Sequence, residues 1–518
     1  MTQGERFALA DLIESVYGLR PRRLDVPITP VIDSREAQPG TVFFAFAGEH
    51  VDGHDYVDDA LARGAVAVVV QRDVRPSRPC TVIDAQSADR WSADDNPATP
   101  VVLRVPDVLK ALQAAARWWR ARLTARVIGI TGSVGKTTTK EIVARVLEQR
   151  YQVVRSQASY NNEIGLPLTL LGLTRACERV VLEMGMYVPG DIRFLSGIAR
   201  PDVGIVTNVS TVHAERAGSI EQISLGKREL VEVLPPAPVG VAILNYDDVR
   251  VRAMGEHTAA RCFTYGLSSQ ADVWADNVEG LGMEGVRARL HYRDDHISVQ
   301  VPMLGRHSIF GVLRGAAAGL VEGLTWDEII AGLQARAVQL RLVTVPGPDG
   351  SLIIDDSYNS SPPSALAALS LLEDMGRDVA GQNRSAGQNR SAGQNRSAGQ
   401  NRSAGRTVAV LGDMLELGAY EREGHLQVGC RAAEVATELV VVGELGQLIG
   451  EGAMSCGMDA VHIRQAVNSE AAIEVVREVL QPGDVVLIKG SRGVKMETIV
   501  AALTAQTQPS TPRESGAR

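Results

Sequence analysis

The residues best suited to chemistry stand in one short stretch, where a predicted strand leads through a glycine-rich loop into a predicted helix. The β-branched run from Val127 to Ile130 predicts a buried strand, and the loop reads Thr131-Gly-Ser-Val-Gly-Lys-Thr-Thr138. Backbone amides and a helix N-terminus can hold an anion, the lysine can reach outer phosphates, and a threonine hydroxyl can bind Mg²⁺. The stretch therefore predicts a site for ATP or a related nucleotide, formed by Gly132, Ser133, Val134, Gly135, Lys136, Thr137 and Thr138. The strict pattern G-x-x-x-x-G-K-[ST] has a glycine where this chain has Ile130, so an ordinary glycine-rich turn is the alternative.

Three further polar side chains stand out in the region that follows the phosphate loop. Glu183 follows the predicted strand Val180–Leu182, and nucleotide sites in open α/β sheets lie at the carboxyl ends of strands, so Glu183 is placed to bind Mg²⁺. His213 follows the segment Val206-Thr-Asn-Val209 in the same manner, and Lys227 lies in a helical stretch. Taken alone, such residues are more often a surface glutamate, a structural histidine and a solvated lysine.

A second group of polar residues follows predicted strands in the last third of the chain. Asp355 and Asp356 end the strand that begins at Leu352, where paired acids could hold a ribose or a metal, although capping a helix is the structural alternative. Lys489-Gly-Ser-Arg492 follows the strand Val485–Ile488 and offers two cations and a hydroxyl, which suit a carboxylate or a phosphate.

Strands and helices alternate along the whole chain, which predicts an α/β fold with parallel sheets. A chain of 518 residues is too long for one core, so about three domains are expected. A helix capped by Asp107 leads into the phosphate-loop strand and sets the first boundary. A β-meander is predicted at Asp272–Val301. The predicted domains are residues 1–106, 107–339 and 340–518.

One segment has low complexity. Ala-Gly-Gln-Asn-Arg-Ser occurs four times in tandem from Ala380 to Ser403, and it has no apolar residue larger than alanine. Such a segment cannot bury a core, so residues 380–404 are predicted to be a disordered insert in a surface loop. The alternative is a role in binding an anion or a partner through the arginines of the repeat, which are Arg384, Arg390, Arg396 and Arg402.

The bulk composition limits the class of protein. A hydrophobic content of 45% and a charged content of 22% are typical of a soluble globular protein, and a formal charge of −8 argues against non-specific nucleic-acid binding. The five cysteines show no C-x-x-C spacing, so we expect buried reduced thiols rather than a zinc site or a disulfide framework. The chain has neither an apolar signal region nor a run long enough to cross a membrane, which predicts a cytoplasmic protein.

Taken together, these residues resemble the ATP-dependent Mur ligases of peptidoglycan synthesis over nearly the whole chain. Asp33-Ser-Arg-x-x-x-Pro-Gly-x-x-Phe-Phe44, with Asp52-Gly-His54, is similar to the UDP-substrate domain of that family, and Asn161–Pro167 resembles its substrate-side motif. Asp355–Asn359 and Gly412–Gly418 look like the branch of the family that adds D-alanyl-D-alanine to UDP-N-acetylmuramoyl-tripeptide.

The resemblance implies a three-domain fold with a central parallel-sheet P-loop ATPase domain and a C-terminal Rossmann-like domain. It implies that Lys136, His213 and Lys227 are catalytic, and that carbamylated Lys227 binds Mg²⁺ as a carboxylate would. Two Mg²⁺ ions would be held by Thr137, Glu183, His213 and Lys227. The nucleotide would also contact Asn245, Arg341 and Asp356. The implied substrate-binding residues are Ser34, Arg35, His54, Asn162, Asn359, Lys489, Ser491 and Arg492.

The resemblance also implies the reaction. The terminal carboxylate of the tripeptide would attack the γ-phosphate of ATP, and the amine of D-alanyl-D-alanine would then displace phosphate from the acyl phosphate. We expect the C-terminal domain to close over the site during turnover, and we expect a monomer. Two alternatives remain: a ligase with a different amino-acid acceptor, and a nucleotide-dependent switch or transport ATPase that hydrolyses ATP without a muramyl substrate.

Overall fold

The computed structural model describes residues 6–21, 24–48, 51–84, 100–157, 160–212, 214–335, 342–388 and 406–505, with side chains in the seventh range described up to residue 377. Three β-sheets with helices on their faces make up this part of the chain, and each sheet lies inside one of the three predicted domains. The predicted α/β fold class is confirmed. No helix in these ranges combines the length and apolar character needed to span a membrane.

The first sheet has five parallel strands. Their order is β1-β2-β3-β5-β4, with β1 Thr29–Val31, β2 Thr41–Phe44, β3 Ala67–Val70, β4 Thr81–Asp84 and β5 Val101–Arg104. Helices α1 (Leu9–Tyr17) and α2 (Val57–Ala62) accompany this sheet, and α3 (Val108–Arg120) follows it. The Asp107 side chain accepts a hydrogen bond from the Lys110 amide, so it caps α3 as the sequence predicts.

The second sheet has nine strands in the order β14-β13-β12-β11-β10-β9-β6-β8-β7. They are β6 Arg126–Thr131, β7 Val153–Arg155, β8 Arg179–Glu183, β9 Val203–Val206, β10 Val241–Asn245, β11 Arg261–Gly266, β12 Val273–Gly280, β13 Val286–Tyr292 and β14 Asp295–Val301. Strands β6 to β12 pair in parallel, whereas β13 and β14 are antiparallel and form the predicted meander with β12. The helices that follow these strands are α4 Lys136–Leu147, α5 Gly165–Leu171, α6 Asp191–Ala199, α7 Ala214–Ala217, α8 Ile220–Glu232, α9 Val249–Ala253, α10 Ile309–Val321 and α11 Trp326–Leu333.

The apolar strands of this sheet are buried on both faces. Val127 packs into one hydrophobic core, while its neighbours Ile128 and Ile130 pack into the core on the opposite face. This arrangement follows from the two-residue period of a strand and explains why the predicted strands read as continuous apolar runs. The carboxyl ends of β8, β6, β9 and β10 consequently lie side by side at one edge.

The third sheet has six strands in the order β15-β16-β20-β17-β18-β19, all parallel except β15. The strands are β15 Val343–Pro346, β16 Leu352–Asp356, β17 Thr407–Gly412, β18 Glu438–Val442, β19 Ile463–Ala466 and β20 Val485–Lys489. The helices are α12 Pro362–Gln388, α13 Glu421–Val435, α14 Gly446–Ser455, α15 Ser469–Val479 and α16 Glu497–Thr504. This is the predicted Rossmann-like domain.

The structure differs from the sequence prediction at the start of the tandem repeat. Helix α12 continues to Gln388, so residues 380–388 are helical rather than disordered. Extending an existing helix costs far less than starting one, so the helix that begins at Pro362 continues into the repeat. The rest of the repeat, from residue 389 to 404, lies outside the described residues.

The cysteine prediction is wrong at three positions. Cys430 in α13 and Cys456 after α14 form a disulfide, and their Cα atoms are 5.1 Å apart. Their separation of 26 residues in sequence gave no sign of this, because the packing of α13 against α14 brings them together. Cys262 is exposed, whereas Cys177 is the buried thiol that the composition predicts.

Candidate active site

The phosphate loop joins the carboxyl end of β6 to the first residue of α4. Gly132 has a φ of 142°, which side chains rarely allow, and a Cβ atom there would lie 1.8 Å from the Thr207 hydroxyl oxygen. The amides of Ser133 and Val134 donate to the main-chain and side-chain oxygens of Asn208, at 2.9 and 3.0 Å. The segment after β9 therefore fixes the shape of the loop.

The start of α4 brings together a cation, a hydroxyl and main-chain donors. The Lys136 ammonium lies in the loop and donates to the carbonyl oxygens of Gly132 and Ser133, at 2.9 and 3.2 Å. The first main-chain N–H groups of any helix have no partner within that helix. Thr137 and Thr138 belong to the first turn of α4, so their N–H groups are of this kind. This combination is the one that binds phosphate groups at helix N-termini.

Glu183 is the last residue of β8 and is only 3% exposed. Its carboxylate oxygens accept hydrogen bonds from the Thr137 hydroxyl at 2.8 Å and from the Asn161 amide at 2.9 Å. These neutral donors orient the carboxylate without neutralising its charge, so it is suited to bind a cation. The structure thus brings Thr137 and Glu183 together, and it adds Asn161 as the residue that orients the carboxylate.

Lys227 lies in α8, and the structure buries it to 2% exposure. Burial, followed by the positive charge of Lys136, lowers the pKa of the Lys227 amine well below its usual value. Among the described residues, no carboxylate pairs with this amine. The side chain is therefore a buried amine whose charged form is disfavoured, rather than the solvated ammonium that its sequence context alone suggests.

His213 lies outside the described residues, and so does Arg341. The segment that follows His213 contacts the C-terminal domain. The Glu215 amide donates to the Glu416 carbonyl at 3.3 Å, and the Arg216 guanidinium is 3.7 Å from the Glu416 carboxylate. Arg216 also lies over the Tyr187 ring, 5.1 Å from its centre.

Two predicted asparagines hold main-chain groups. Asn162 accepts a hydrogen bond from the Gly165 amide at 2.9 Å, at the start of α5. Asn245 ends β10, and its side-chain amide donates to the Thr207 carbonyl at 3.1 Å. Asn245 therefore supports the same segment that shapes the phosphate loop. The predicted contacts of both asparagines with ligands stay predictions.

In the C-terminal domain, Asp356 ends β16 and Lys489 ends the neighbouring strand β20. The Lys489 ammonium lies 2.5 Å from the Asp356 carboxylate and 2.8 Å from the Asn359 carbonyl oxygen, and both charged side chains are buried. The predicted nucleotide and substrate contacts of this pair stay predictions.

The two remaining predicted residues of this domain differ in exposure. Ser491 is buried, and its hydroxyl accepts a hydrogen bond from the Leu415 amide at 2.9 Å. Arg492 is exposed and lies over the Tyr358 ring, 5.3 Å from its centre.

The predicted residues of the N-terminal domain differ in burial and in hydrogen-bond partners. Ser34 is buried, whereas Arg35 is exposed and pairs with Asp33 at 2.6 Å, which lowers the pKa of that carboxyl to about 2. His54 is buried, and its Nδ1 lies 2.6 Å from Asp52. His54 Nε2 accepts a hydrogen bond from the main chain after β3, so the ring links two parts of the domain.

Sequence reasoning missed Arg314, which lies beside the phosphate loop. It is the one charged residue of α10 and is only 6% exposed. Its terminal nitrogen lies 3.3 Å from the position of a Cβ atom on Gly135. A single charge in an apolar helix was the available signal, because charged residues are almost never fully buried without a partner.

Known protein families match most of the chain. Models of the Mur ligase family match three segments of the chain: the Mur ligase catalytic domain at residues 31–120, the middle domain at 130–319 and the glutamate ligase domain at 391–492. The chain belongs to the Mur ligase family. It is an enzyme that forms an amide bond at the expense of ATP.

Relatives match over nearly the whole chain. A Mycobacterium tuberculosis protein named UDP-N-acetylmuramoyl-tripeptide–D-alanyl-D-alanine ligase is 34% identical, and the match covers 92% of each chain. A crystal structure of MurF from Acinetobacter baumannii is 26% identical with a TM-score of 0.78, covering 97% of this chain and 100% of that one. The MurF ligase of Thermotoga maritima, solved in complex with ADP, is 26% identical with a TM-score of 0.72, covering 92% and 97%.

Proposed function

We infer that this ligase joins D-alanyl-D-alanine to the terminal carboxyl group of UDP-N-acetylmuramoyl-tripeptide. The observation that carries this conclusion is the length of the match, because relatives named for this reaction align with 92% of the chain at 34% identity. A shared phosphate loop alone would match only a part of the central domain. The product is a UDP-muramyl-pentapeptide, a precursor of peptidoglycan, so the enzyme serves cell-wall synthesis and through it cell shape and division.

The reaction has two steps. A carboxylate oxygen of the tripeptide forms a bond to the γ-phosphorus of ATP while the bond to the ADP oxygen breaks, which gives an acyl phosphate and ADP. The amine of D-alanyl-D-alanine then bonds to the acyl carbon and loses a proton, and phosphate leaves with the electrons of the carbon–oxygen bond. Lys136 at the loop balances the charge of the outer phosphates, since phosphoryl transfer depends mainly on positioning and on charge neutralisation.

The residues present fit a site for Mg²⁺. Thr137 and the buried carboxylate of Glu183, 2.8 Å apart, offer oxygen ligands beside the loop. We propose that Thr137, Glu183, His213 and a carbamate on Lys227 hold two ions. Bound there, Mg²⁺ would supply positive charge to the phosphate oxygens and to the incoming carboxylate.

A carbamate fits Lys227 because burial favours the neutral form of its amine. The lone pair of a neutral amine can attack CO₂, which forms a nitrogen–carbon bond and releases one proton. The product carries a negative charge, and that charge would be balanced by the metal ions and by Lys136. An ammonium could not react in this way, so the lowered pKa of Lys227 is what supports the proposal.

The other predicted residues complete the site. The nucleotide would meet the loop residues 132–138, Asn245, Arg341 and Asp356. The UDP-linked substrate and the dipeptide would meet Ser34, Arg35, His54, Asn162, Asn359, Lys489, Ser491 and Arg492. These residues belong to all three domains, so domain closure during turnover follows from the proposal. We also propose that the enzyme works in the cytoplasm as a monomer, without nucleic acid.

Counting metal ions tests this site directly. Mn²⁺ can replace Mg²⁺ and be counted by electron paramagnetic resonance, in bicarbonate buffer with saturating ADP and UDP-N-acetylmuramoyl-tripeptide. We expect two ions per chain in the wild type and one in Lys227→Met. Two ions in both proteins would remove Lys227 from the metal site. Product mass spectrometry with D-alanyl-D-alanine or single amino acids would identify the acceptor.

A further inference from the structure

The guanidinium group of Arg314 is buried beside the phosphate loop, and no opposite charge from the described residues pairs with it. The residue is 6% exposed, and its Nε atom has no hydrogen-bond partner in the described part of the chain. No described carboxylate forms an ion pair with it. Burying a charge without an opposite charge strongly destabilises a folded protein, so this position indicates an anion that binds there.

Gly135 provides the space for this side chain. A Cβ atom on Gly135 would lie 3.3 Å from the terminal nitrogen of Arg314, which is closer than such contacts normally are. Gly135 has a φ of 84° and is the residue directly before α4. Arg314 therefore lies at the helix N-terminus where the phosphate-binding amides are, and it approaches from α10.

Tyr265 limits the movement of Arg314 on another side. The Cζ atom of Arg314 is 5.9 Å from the centre of the Tyr265 ring. Tyr265 is fully buried, and its hydroxyl donates to the Thr207 carbonyl at 3.1 Å. Because Thr207 belongs to the segment that shapes the phosphate loop, Arg314 is held in a fixed position relative to the loop.

We propose that Arg314 binds the polyphosphate of ATP as a second loop cation beside Lys136. The proposal rests on the nucleotide site proposed above. Arginine presents planar, forked donors that can bind two phosphate oxygens at once, whereas lysine acts as a point charge. The chain would then hold the phosphates from two sides, with Lys136 on the loop and Arg314 on α10.

Arg314→Met tests this role through binding, without a need for turnover. Isothermal titration with MgADP should show about thirtyfold weaker binding, which corresponds to about 2 kcal/mol. Adenosine has no phosphate, so its affinity should not change. Arg314→Lys keeps the charge but loses the fork, and its affinity for MgADP should fall between those of the wild type and Arg314→Met.

Thermal unfolding separates this role from a structural one. The nucleotide-free Arg314→Met variant should unfold at the same or a higher temperature than the wild type, because a buried unpaired charge has been removed. Arg120→Met is the matched control. Arg120 is equally buried, but its guanidinium donates to three carbonyl oxygens, those of Leu123, Ala199 and Arg200. That variant should lose stability and keep its affinity for MgADP.

The possible outcomes are distinct. Equal affinity of the wild type and Arg314→Met for MgADP would overturn the proposal. Loss of adenosine and MgADP binding together, with a lower unfolding temperature, would assign Arg314 a structural role and would also overturn it. A wild-type protein that binds no MgADP would instead refute the nucleotide site on which the proposal rests.

Discussion

Replacing Lys227 by methionine removes the proposed carbamate while keeping an unbranched side chain of similar length. The wild-type side chain is 2% exposed and no described carboxylate forms an ion pair with it, so the substitution leaves no described partner unpaired. We therefore expect the variant to fold and to remain as stable as the wild type. We also expect MgATP to bind, because the loop residues that hold the phosphates are unchanged.

The expected loss of rate follows from electrostatics. Without the carbamate, one of the two proposed metal ions would lose a ligand, and its positive charge would no longer offset the repulsion between the γ-phosphate and the attacking carboxylate. Two unit negative charges at ~4 Å with an effective dielectric constant of ~20 repel each other by about 4 kcal/mol. Such an increase in the barrier lowers the rate by roughly three powers of ten.

The assay is the initial rate of phosphate release with both substrates, in buffers with and without CO₂. Wild-type activity should fall when CO₂ is removed and return when bicarbonate is added, whereas Lys227→Met should be inactive in both buffers. Lys140→Met is the matched control, because Lys140 is also fully buried but pairs with Glu141 at 3.3 Å. Glu141 keeps Arg155 at 2.7 Å in that variant, so no carboxylate loses its only partner.

Activity of Lys227→Met within tenfold of the wild type would show that turnover does not need the carbamate. An equal fall in turnover and in MgATP affinity would show that Lys227 acts in nucleotide binding instead. A wild-type rate that is indifferent to CO₂ would remove the carbamate while leaving a role for the lysine itself.

Three further predictions concern other parts of the molecule. Gly132→Ala should weaken MgATP binding at least tenfold with folding retained, since a Cβ atom would clash with the Thr207 hydroxyl; equilibrium titration checks this. Burial lowers the pKa of His425, and an unfolded histidine protonates near pH ~6.5, so the free energy of unfolding should decrease as pH falls below ~6.5. Thermal unfolding between pH 5 and 8 should show this loss, and His425→Gln should show a smaller one, because burial also lowers the pKa of His307. Glu416→Gln removes the ion pair with Arg216, which should lower kcat about two- to fivefold at an unchanged KM for ATP in steady-state assays.

Much of the fold could be predicted from local patterns. The strand that precedes the phosphate loop, the cap at Asp107 and the meander that ends at Val301 depend on side-chain period and on turn residues, which the sequence carries directly. Glu183 could be placed beside the phosphate loop for the same reason, because parallel strands end at one edge of their sheet.

What the sequence could not predict depends on contacts between distant segments. The Cys430–Cys456 disulfide follows from the packing of two helices, and no spacing rule indicates it. The burial of Lys227 and the contact of Arg314 with the loop arise from the packing of α8 and α10 against the central sheet. The helical start of the repeat reflects the length of the preceding helix rather than the composition of the repeat itself.

An oxygen label shows whether the tripeptide carboxylate attacks the γ-phosphate of ATP. UDP-N-acetylmuramoyl-tripeptide would be labelled with ¹⁸O at its terminal carboxylate and incubated with MgATP and D-alanyl-D-alanine. Mass spectrometry of the released phosphate should show one ¹⁸O atom for each pentapeptide formed, because the carboxylate oxygen leaves with the phosphorus. Unlabelled phosphate, or release that needs neither substrate, would show that water attacks ATP and would contradict the ligase mechanism.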